Sequence, residues 1–412
     1  MSEDQFPIDA SKRREFIKVV GGASAFAGMA VPYVHGAESD TIEIALVGCG
    51  GRGTGAANQA LSVKTGKTKL VAMADVFSEK MRGSHGALER KYGEDAEKFD
   101  VPEERKFLGF DSYKQAMDAL RPGDIVILTT PLAFRHVHFK YAIERGLHVF
   151  MEKPLTADGP TSRKMIALAA EADKKNLKVG VGLMVRHCRG RMALKERIDN
   201  GEIGDIVTMR ASRMQGPIST CFCKPKPEGM SEVMYQVKNF HSFLWASGGL
   251  FNDFYIHQVD ETCWMKGSWP VEAYAIGGRH FRGDYVDQNF DSYGVQYKFD
   301  DGTEMFFEGR TMIGAFNNMS SIVRGTKGSA IVSNAGHTPG KVKIFPDQLM
   351  KRRTESWAWP QPEENPYQLE WDDLVEAVVN DKPYNEVVRG VQASLVSSMG
   401  RMAAHTGMKI TY

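Results

Sequence analysis

Cysteine is scarce in this sequence: 412 residues contain only Cys49, Cys188, Cys221, Cys223 and Cys263. Their scatter excludes a disulfide framework, and with no CxxC pair followed by further ligands no metal site is expected. The one close pair, Cys221-Phe222-Cys223, sits in a Pro- and Lys-rich stretch ending at Gly229. That stretch reads as a surface loop and leaves a bridge to either cysteine open in an oxidising compartment. Surplus charge is also missing. A net charge of +1 gives no bulk attraction to polyanions and argues against nucleic acid as a partner. There are no internal repeats or low-complexity segments. What the chain has in quantity is apolar residues, 42%, enough for two ordinary cores.

Residues 1–37 read as a targeting segment and are set aside from the fold. Ser11-Lys12-Arg13-Arg14-Glu15-Phe16-Ile17-Lys18 resembles a twin-arginine export signal, although Lys12 stands where Ser or Thr is usual. The apolar run that follows, Val19 to Val31, is too short to remain as a membrane anchor. Small residues around Val34-His35-Gly36-Ala37 would suit cleavage. Such a route carries folded proteins, so the expected location is periplasmic, the export machinery is an expected partner, and any nucleotide would leave the cytoplasm tightly bound.

The next 145 or so residues alternate strands and helices, the pattern of a parallel sheet covered on both faces. The strand Ile42-Glu43-Ile44-Ala45-Leu46-Val47 runs into Gly48-Cys49-Gly50-Gly51-Arg52-Gly53, a G-x-G-x-x-G, and a helix continues through Ala56 to Leu61. The first glycine allows the tight turn, the second a close phosphate approach, and the third helix-on-strand packing. The helix start then offers unpaired N–H groups to a pyrophosphate. A second strand, Lys69 to Ala74, ends on Asp75, where a carboxylate would receive ribose hydroxyls and repel a 2′-phosphate. NAD is therefore expected rather than NADP. Further strands are expected at Asp124–Leu128, His148–Met151 and Lys178–Leu183.

Thr130-Pro131, Gly146-Leu147-His148-Val149 and above all Glu152-Lys153-Pro154 resemble the signature of the glucose-fructose oxidoreductase/inositol dehydrogenase (Gfo/Idh/MocA) family. Gly201-Glu202-Ile203-Gly204-Asp205-Ile206, Gly325-Thr326-Lys327-Gly328 and Gly400 to Gly407 extend the likeness to the C-terminus. The resemblance implies an α/β protein: a Rossmann domain over 38–182, then an α/β domain over 183–412 with a large open, mostly antiparallel sheet. It also implies a homo-oligomer. Independently, Asp291 to Phe299 alternates with period two, Asp300-Asp301-Gly302 turns, and Thr303 to Glu308 returns as a hairpin.

By the same resemblance, Gly48, Gly50, Gly51, Arg52, Gly53, Asp75, Thr130, Pro131, Glu152 and Lys153 would hold NAD(H), and Lys153 would reach the reacting oxygen. An ammonium there stabilises a developing alkoxide. If Gly248 to Asp260 is helical, Asp253, His257, Asp260 and Trp264 share one stripe and Ile256, Val259 and Cys263 an adjacent apolar one. The family places an aspartate and a histidine at the spacing of Asp253 and His257. His257 would take the hydroxyl proton, with Asp253 orienting it or the sugar. Arg186, His187 and Tyr255 are candidate substrate contacts. Where relatives often carry a histidine after Thr-Pro, this chain has Arg135, expected to face phosphate or substrate. His136 and His138 form an H-x-H with no third ligand, and Trp245, Trp264 and Trp269 read as core.

These residues make the expected activity an NAD(H)-dependent hydride transfer between nicotinamide and a carbinol carbon of a sugar or polyol. A redox-neutral, NAD-dependent glycosidase of the same family is the alternative, although such relatives often lack the lysine retained here as Lys153. A non-catalytic ligand sensor on the same fold is a third reading, opposed by the intact Lys153, Asp253 and His257 set.

Overall fold

The computed structural model describes residues 41–334 and 336–412; the segment expected to direct export lies outside them. Strand β1 (Thr41–Val47) is apolar on both faces because it sits in the middle of a parallel sheet between two helical layers. Its residues alternate between them. Ala45 and Val47 pack with Val126 and Leu128, whereas Ile42, Ile44 and Leu46 pack with Ile125 and Ile127. With β2 (Lys67–Asp75), β3 (Lys106–Leu108), β4 (Ile125–Leu128), β5 (His148–Met151) and β6 (Val179–Val181), the sheet order is β3-β2-β1-β4-β5-β6. All neighbours are parallel. The order reverses between β1 and β4, and a ligand crevice opens at the carboxyl ends of strands at such a point.

The second sheet contains β7 (Ile206–Gln215), β8 (Glu272–Gly278), β9 (Ser292–Lys298), β10 (Glu304–Thr311), β11 (Asn318–Gly325), β12 (Ser329–Ser333), β13 (Lys343–Phe345), β14 (Trp357–Ala358) and β15 (Ile410–Thr411). Their order is β14-β13-β12-β11-β7-β10-β9-β8-β15. Only β7 and β10 run parallel; the other neighbours are antiparallel. The hairpin read from the sequence is β9–β10, with Lys298 opposite Glu304. One face buries Met209, Ala211, Val295, Tyr297, Met305 and Phe307 beneath Val259 and Cys263. On the other face Tyr274, Ile276 and Phe306 are exposed. This is the α/β architecture expected from the sequence.

The last helices return to the first sheet. Pro366–Val379 places Trp371, Leu374 and Val375 beside Ile42 and Phe150, with the Trp371 and Phe150 rings 4.5 Å apart. Val387–Thr406 gives Val387 and Val391 to the first core and Val396, Met399 and Ala403 to the second. The stretch 183–412 therefore builds both layers, because its apolar helix faces cover a sheet that would otherwise meet water. Removing the wholly buried Trp371 side chain should cost about 3–5 kcal/mol.

Two expectations need correction. Lys224 to Gly229 is exposed and has no helix or strand, as a surface loop should, but Cys221 and Cys223 beside it are buried, and Cys223 packs with Tyr235, Phe243 and Ala246. Both thiols are free. Trp245 is 45% exposed instead of core. It stands edge-on to Phe134 at 6.2 Å and donates from Nε1 to Gln236. Trp264 and Trp269 are half-buried against the second core.

Candidate active site

A cleft of about 600 Å³ opens at the carboxyl end of the first sheet and reaches the buried face of the second. Its floor is the glycine turn. Gly48 has φ +101°, a left-handed conformation that favours glycine. A Cβ on Gly53 would overlap the Gly48 carbonyl and crowd Thr129 Oγ1 at 2.6 Å. Gly50 and Gly51 face open space. The helix Gly51–Ala60 starts with no side-chain cap, leaving its first N–H groups for an anion.

Asp75 accepts hydrogen bonds from the Cys49 N–H at 2.6 Å and the Phe77 N–H at 2.8 Å. Two carboxylate oxygens offer about four acceptor positions, so capacity remains for hydroxyls. Burial raises its pKa above the ordinary carboxylate value, opposed by those N–H groups. An open glycine turn, an uncapped helix start and a fixed carboxylate fit a dinucleotide with free ribose hydroxyls.

Arg52 closes one side, with Nε 2.5 Å from Glu152 and its guanidinium 4.7 Å from the Tyr367 ring centre. Thr130 and Pro131 follow β4, and Glu152 and Lys153 follow β5, all lining the cleft. Arg135 lines it too, but its hydrogen bonds run to the backbone instead of outward. It donates to the carbonyl oxygens of Glu152 and of Thr130, the latter at 2.7 Å. Complete burial lowers its pKa to about 10, against the pull of Glu152 and Asp253. Its role is to tie the Thr-Pro loop to the Glu-Lys-Pro loop. His138, the buried member of the H-x-H, contacts Thr130 Oγ1 through Nδ1 at 3.1 Å.

Lys153 lies across the cleft from the glycine turn. Its Nζ donates to the Asp253 carbonyl at 2.7 Å and lies 3.9 Å from Asp253 Oδ1. The other carboxylate oxygen is 3.2 Å from His241 Nε2, whose Nδ1 contacts Thr220 Oγ1 at 2.7 Å. Burial alone would raise the Asp253 pKa; Lys153 and His241 together hold it below the usual value.

The regular helix expected across Gly248 to Asp260 does not start there. Phe251–Tyr255 is a π-turn, and the α-helix occupies Ile256–Lys266. The inserted residue changes which side chains share a face, and such turns recur at functional sites. Asp253 consequently pairs with His241 and Lys153. His257 lies against His337, ring centres 4.1 Å apart. Burial, then His337 and Lys153, keep the His257 pKa well below its ordinary value. Its Nδ1 is buried without a hydrogen-bond partner among the described residues.

Three expected substrate contacts are elsewhere. Arg186 is committed to Asp260, with hydrogen bonds of 3.0 and 2.7 Å. His187 sits between Asp373 and Glu386 at 2.7 and 3.2 Å. Tyr255 is wholly buried, its hydroxyl 3.1 Å from Thr311 Oγ1. None lines the cleft, because a carboxylate or a core hydroxyl already satisfies each polar end. The cleft recruits instead Arg213, His241, Phe254, His337 and Tyr367, which sequence reading missed. Arg213 alone left a local signal: it occupies the inward phase of β7 after Met209 and Ala211, where an apolar residue is expected.

With this geometry in place, comparisons with known proteins give a consistent result. The profile described as an oxidoreductase family NAD-binding Rossmann fold matches residues 42–183, and that of the GFO/IDH/MocA C-terminal domain matches 192–331. The chain is 32% identical over 240 residues to inositol 2-dehydrogenase of Burkholderia vietnamiensis, covering 57% of this chain and 58% of that one. An uncharacterized oxidoreductase of Bacillus subtilis is 24% identical over 229 residues, 55% and 60% of the two chains. The chain thus spans little more than half the length of these curated relatives. Among solved structures, aldose-aldose oxidoreductase from Caulobacter crescentus superposes with TM-score 0.69 at 18% identity, over 90% of this chain and all of that one. Scyllo-inositol dehydrogenase from Lactobacillus casei, solved with NAD(H) and scyllo-inositol, gives 0.63 at 20%, over 90% and 99%. At those identities the likeness is one of fold.

Proposed function

The chain belongs to the Gfo/Idh/MocA oxidoreductase family, whose N-terminal half is an NAD-binding Rossmann fold, and on that premise we propose that it transfers a hydride between nicotinamide and a carbinol carbon of a sugar or polyol. One observation carries the reading: Lys153, paired to Asp253, shares a single cleft with the open glycine turn and the unpartnered nitrogen of His257. When bound, the nicotinamide supplies the redox chemistry. The protein binds, orients and moves the proton.

Gly50, Gly51 and the helix start hold the pyrophosphate, and Asp75 selects free ribose hydroxyls. Lys153 polarises the substrate oxygen and steadies the charge that grows on it as its proton leaves. Asp253 fixes the ammonium and, through His241, the wall of the cleft. His257 is kept neutral, in the form that accepts the hydroxyl proton. Retention of Lys153, which bond-cleaving relatives often lack, also favours this reading over a bond-cleaving cycle. Export by the twin-arginine route, with nucleotide already bound, is part of the proposal and is supported by Ser11–Lys18. Pairing of copies through the exposed face of the second sheet is supported by Ile276, 81% exposed, beside Tyr274 and Phe306.

The test is to purify the full chain, identify any bound nucleotide, and offer sugars, polyols and chromogenic glycosides. Reduction of bound or added NAD by a sugar or polyol is expected. Aglycone release without net redox would replace the proposal with the glycosidase, and nucleotide binding without any spectral response would replace it with the sensor.

A further inference from the structure

Four arginines are buried among the described residues: Arg135, Arg191, Arg213 and Arg282. Three have their charge answered locally. Arg191 Nε is 2.9 Å from Glu261, Arg282 Nε is 2.5 Å from Asp291, and Arg135 donates to two carbonyls with Glu152 close by. Arg213 differs. It is 4% exposed, Asp253 and Glu261 act on it only from beyond ion-pair distance, and burial lowers its pKa despite them. Its one hydrogen-bond partner among the described residues is a ring nitrogen, His337 Nε2 at 2.7 Å, and its Nε has none. Burying a guanidinium without an anion costs several kcal/mol, which a folded protein rarely leaves uncompensated.

The location supplies the reason. Arg213 lines the cleft beside Phe254, His257 and His337. Lys153 and Asp253 offset one another in that part of the cleft, which leaves Arg213 there without a paired carboxylate. We infer that the substrate carries a carboxylate and that Arg213, with His337 holding its guanidinium, is the residue that selects it, so that the preferred sugars are uronic, aldonic or related sugar acids. This rests on the oxidoreductase reading above. A single guanidinium matches a monoanionic, planar carboxylate, to which it can donate two parallel hydrogen bonds. The pairing also serves the chemistry, since Arg213 is among the charges that keep His257 neutral. A carboxylate on Arg213 weakens that field and makes His257 a better proton acceptor.

The experiment compares D-glucuronate and D-gluconate with D-glucose, and D-glucose 6-phosphate as the phosphate arm, on NAD-loaded wild-type protein and on Arg213→Gln and Arg213→Lys. Two readouts are taken: thermal stabilisation by each sugar at fixed NADH, and kcat/KM. A charge-assisted contact predicts a preference for sugar acids of roughly tenfold to a hundredfold in wild type. That ratio should collapse toward one in R213Q and return in part in R213K. Equal stabilisation of wild type by acid and neutral sugars overturns the inference without any variant. A preference for the phosphate overturns the carboxylate assignment. If sugar acids stabilise the protein through Arg213 yet no sugar changes the nucleotide's spectrum, the oxidoreductase reading fails and the anion site stands.

Discussion

Replacing Lys153 by methionine keeps most of the side chain's volume and removes its charge. In the native cleft the ammonium donates to the Asp253 carbonyl at 2.7 Å and stands 3.9 Å from the carboxylate, with a side chain only 14% exposed. The substitution subtracts two things. A charge aimed at the oxygen on which negative charge develops contributes about 10²–10³ in turnover, roughly 2.7–4 kcal/mol of barrier. A buried carbonyl and carboxylate also lose a partner, costing about 1–3 kcal/mol of stability, softened by the remaining contact of Asp253 with His241. The glycine turn, Asp75 and Arg52 are untouched. The expected outcome of K153M is a hundredfold or greater loss of kcat, near-native NADH affinity by fluorescence titration, and a measurably lower melting temperature. Turnover within about threefold of wild type, with NADH still bound, would refute the assignment of Lys153 to the reacting oxygen.

Two further perturbations probe other parts of the account. Asp75→Asn keeps one of the two oxygens that accept from the Cys49 and Phe77 N–H groups, turns the other into an amide NH2 that cannot accept, and removes the charge that repels a 2′-phosphate; affinity for both nucleotides should weaken, the ratio of NADP to NAD dissociation constants should fall by tenfold or more, and an unchanged ratio would remove Asp75 from the selectivity argument. Burial, with Arg135 and His136 adding to it, lowers the His138 pKa to about 3, and burial with Arg401 lowers that of His405 to about 4. Because both folded values lie below the unfolded value near 6.5, protons favour the unfolded chain as pH falls. Stability is therefore undiminished by these groups above about pH 6.5 and declines from there toward pH 4, by on the order of a few kcal/mol from His138, with a smaller share from the more solvated His405. Melting temperatures measured stepwise over that window should fall, with a shallower slope in His138→Gln, and identical slopes would sink the attribution.

Residues that act through local pattern were legible in the sequence; those that act through tertiary meeting were not. β1, Gly48 to Gly53 and Asp75 could be placed because a strand, a turn and a helix start are consecutive, and each glycine has a steric reason visible in the motif. The β9–β10 hairpin followed from alternation and a turn. Lys153 was reachable only through its motif, since nothing in the residues around it forces an ammonium to face a cleft. Asp253 meets Lys153 and His241 rather than His257, because a π-turn shifts the register ahead of the helix that carries His257; its alternative role, orienting the sugar, is compatible with that position. Arg186 and His187 misled because the carboxylates that occupy them, Asp260, Asp373 and Glu386, come from distant stretches of chain. His241 and His337 reach the cleft from a short 3-10 turn and a loop with no periodic signal of their own.

The central claim is that a hydride passes between a substrate carbinol and the nicotinamide within this cleft. Its most direct test is a single turnover of NAD-loaded protein with a sugar acid deuterated at its carbinol carbons, followed by mass spectrometry of the released nucleotide. The account predicts one deuterium at C4 of the reduced nicotinamide, lost with K153M. Consumption of the substrate with no deuterium in the nucleotide would contradict it.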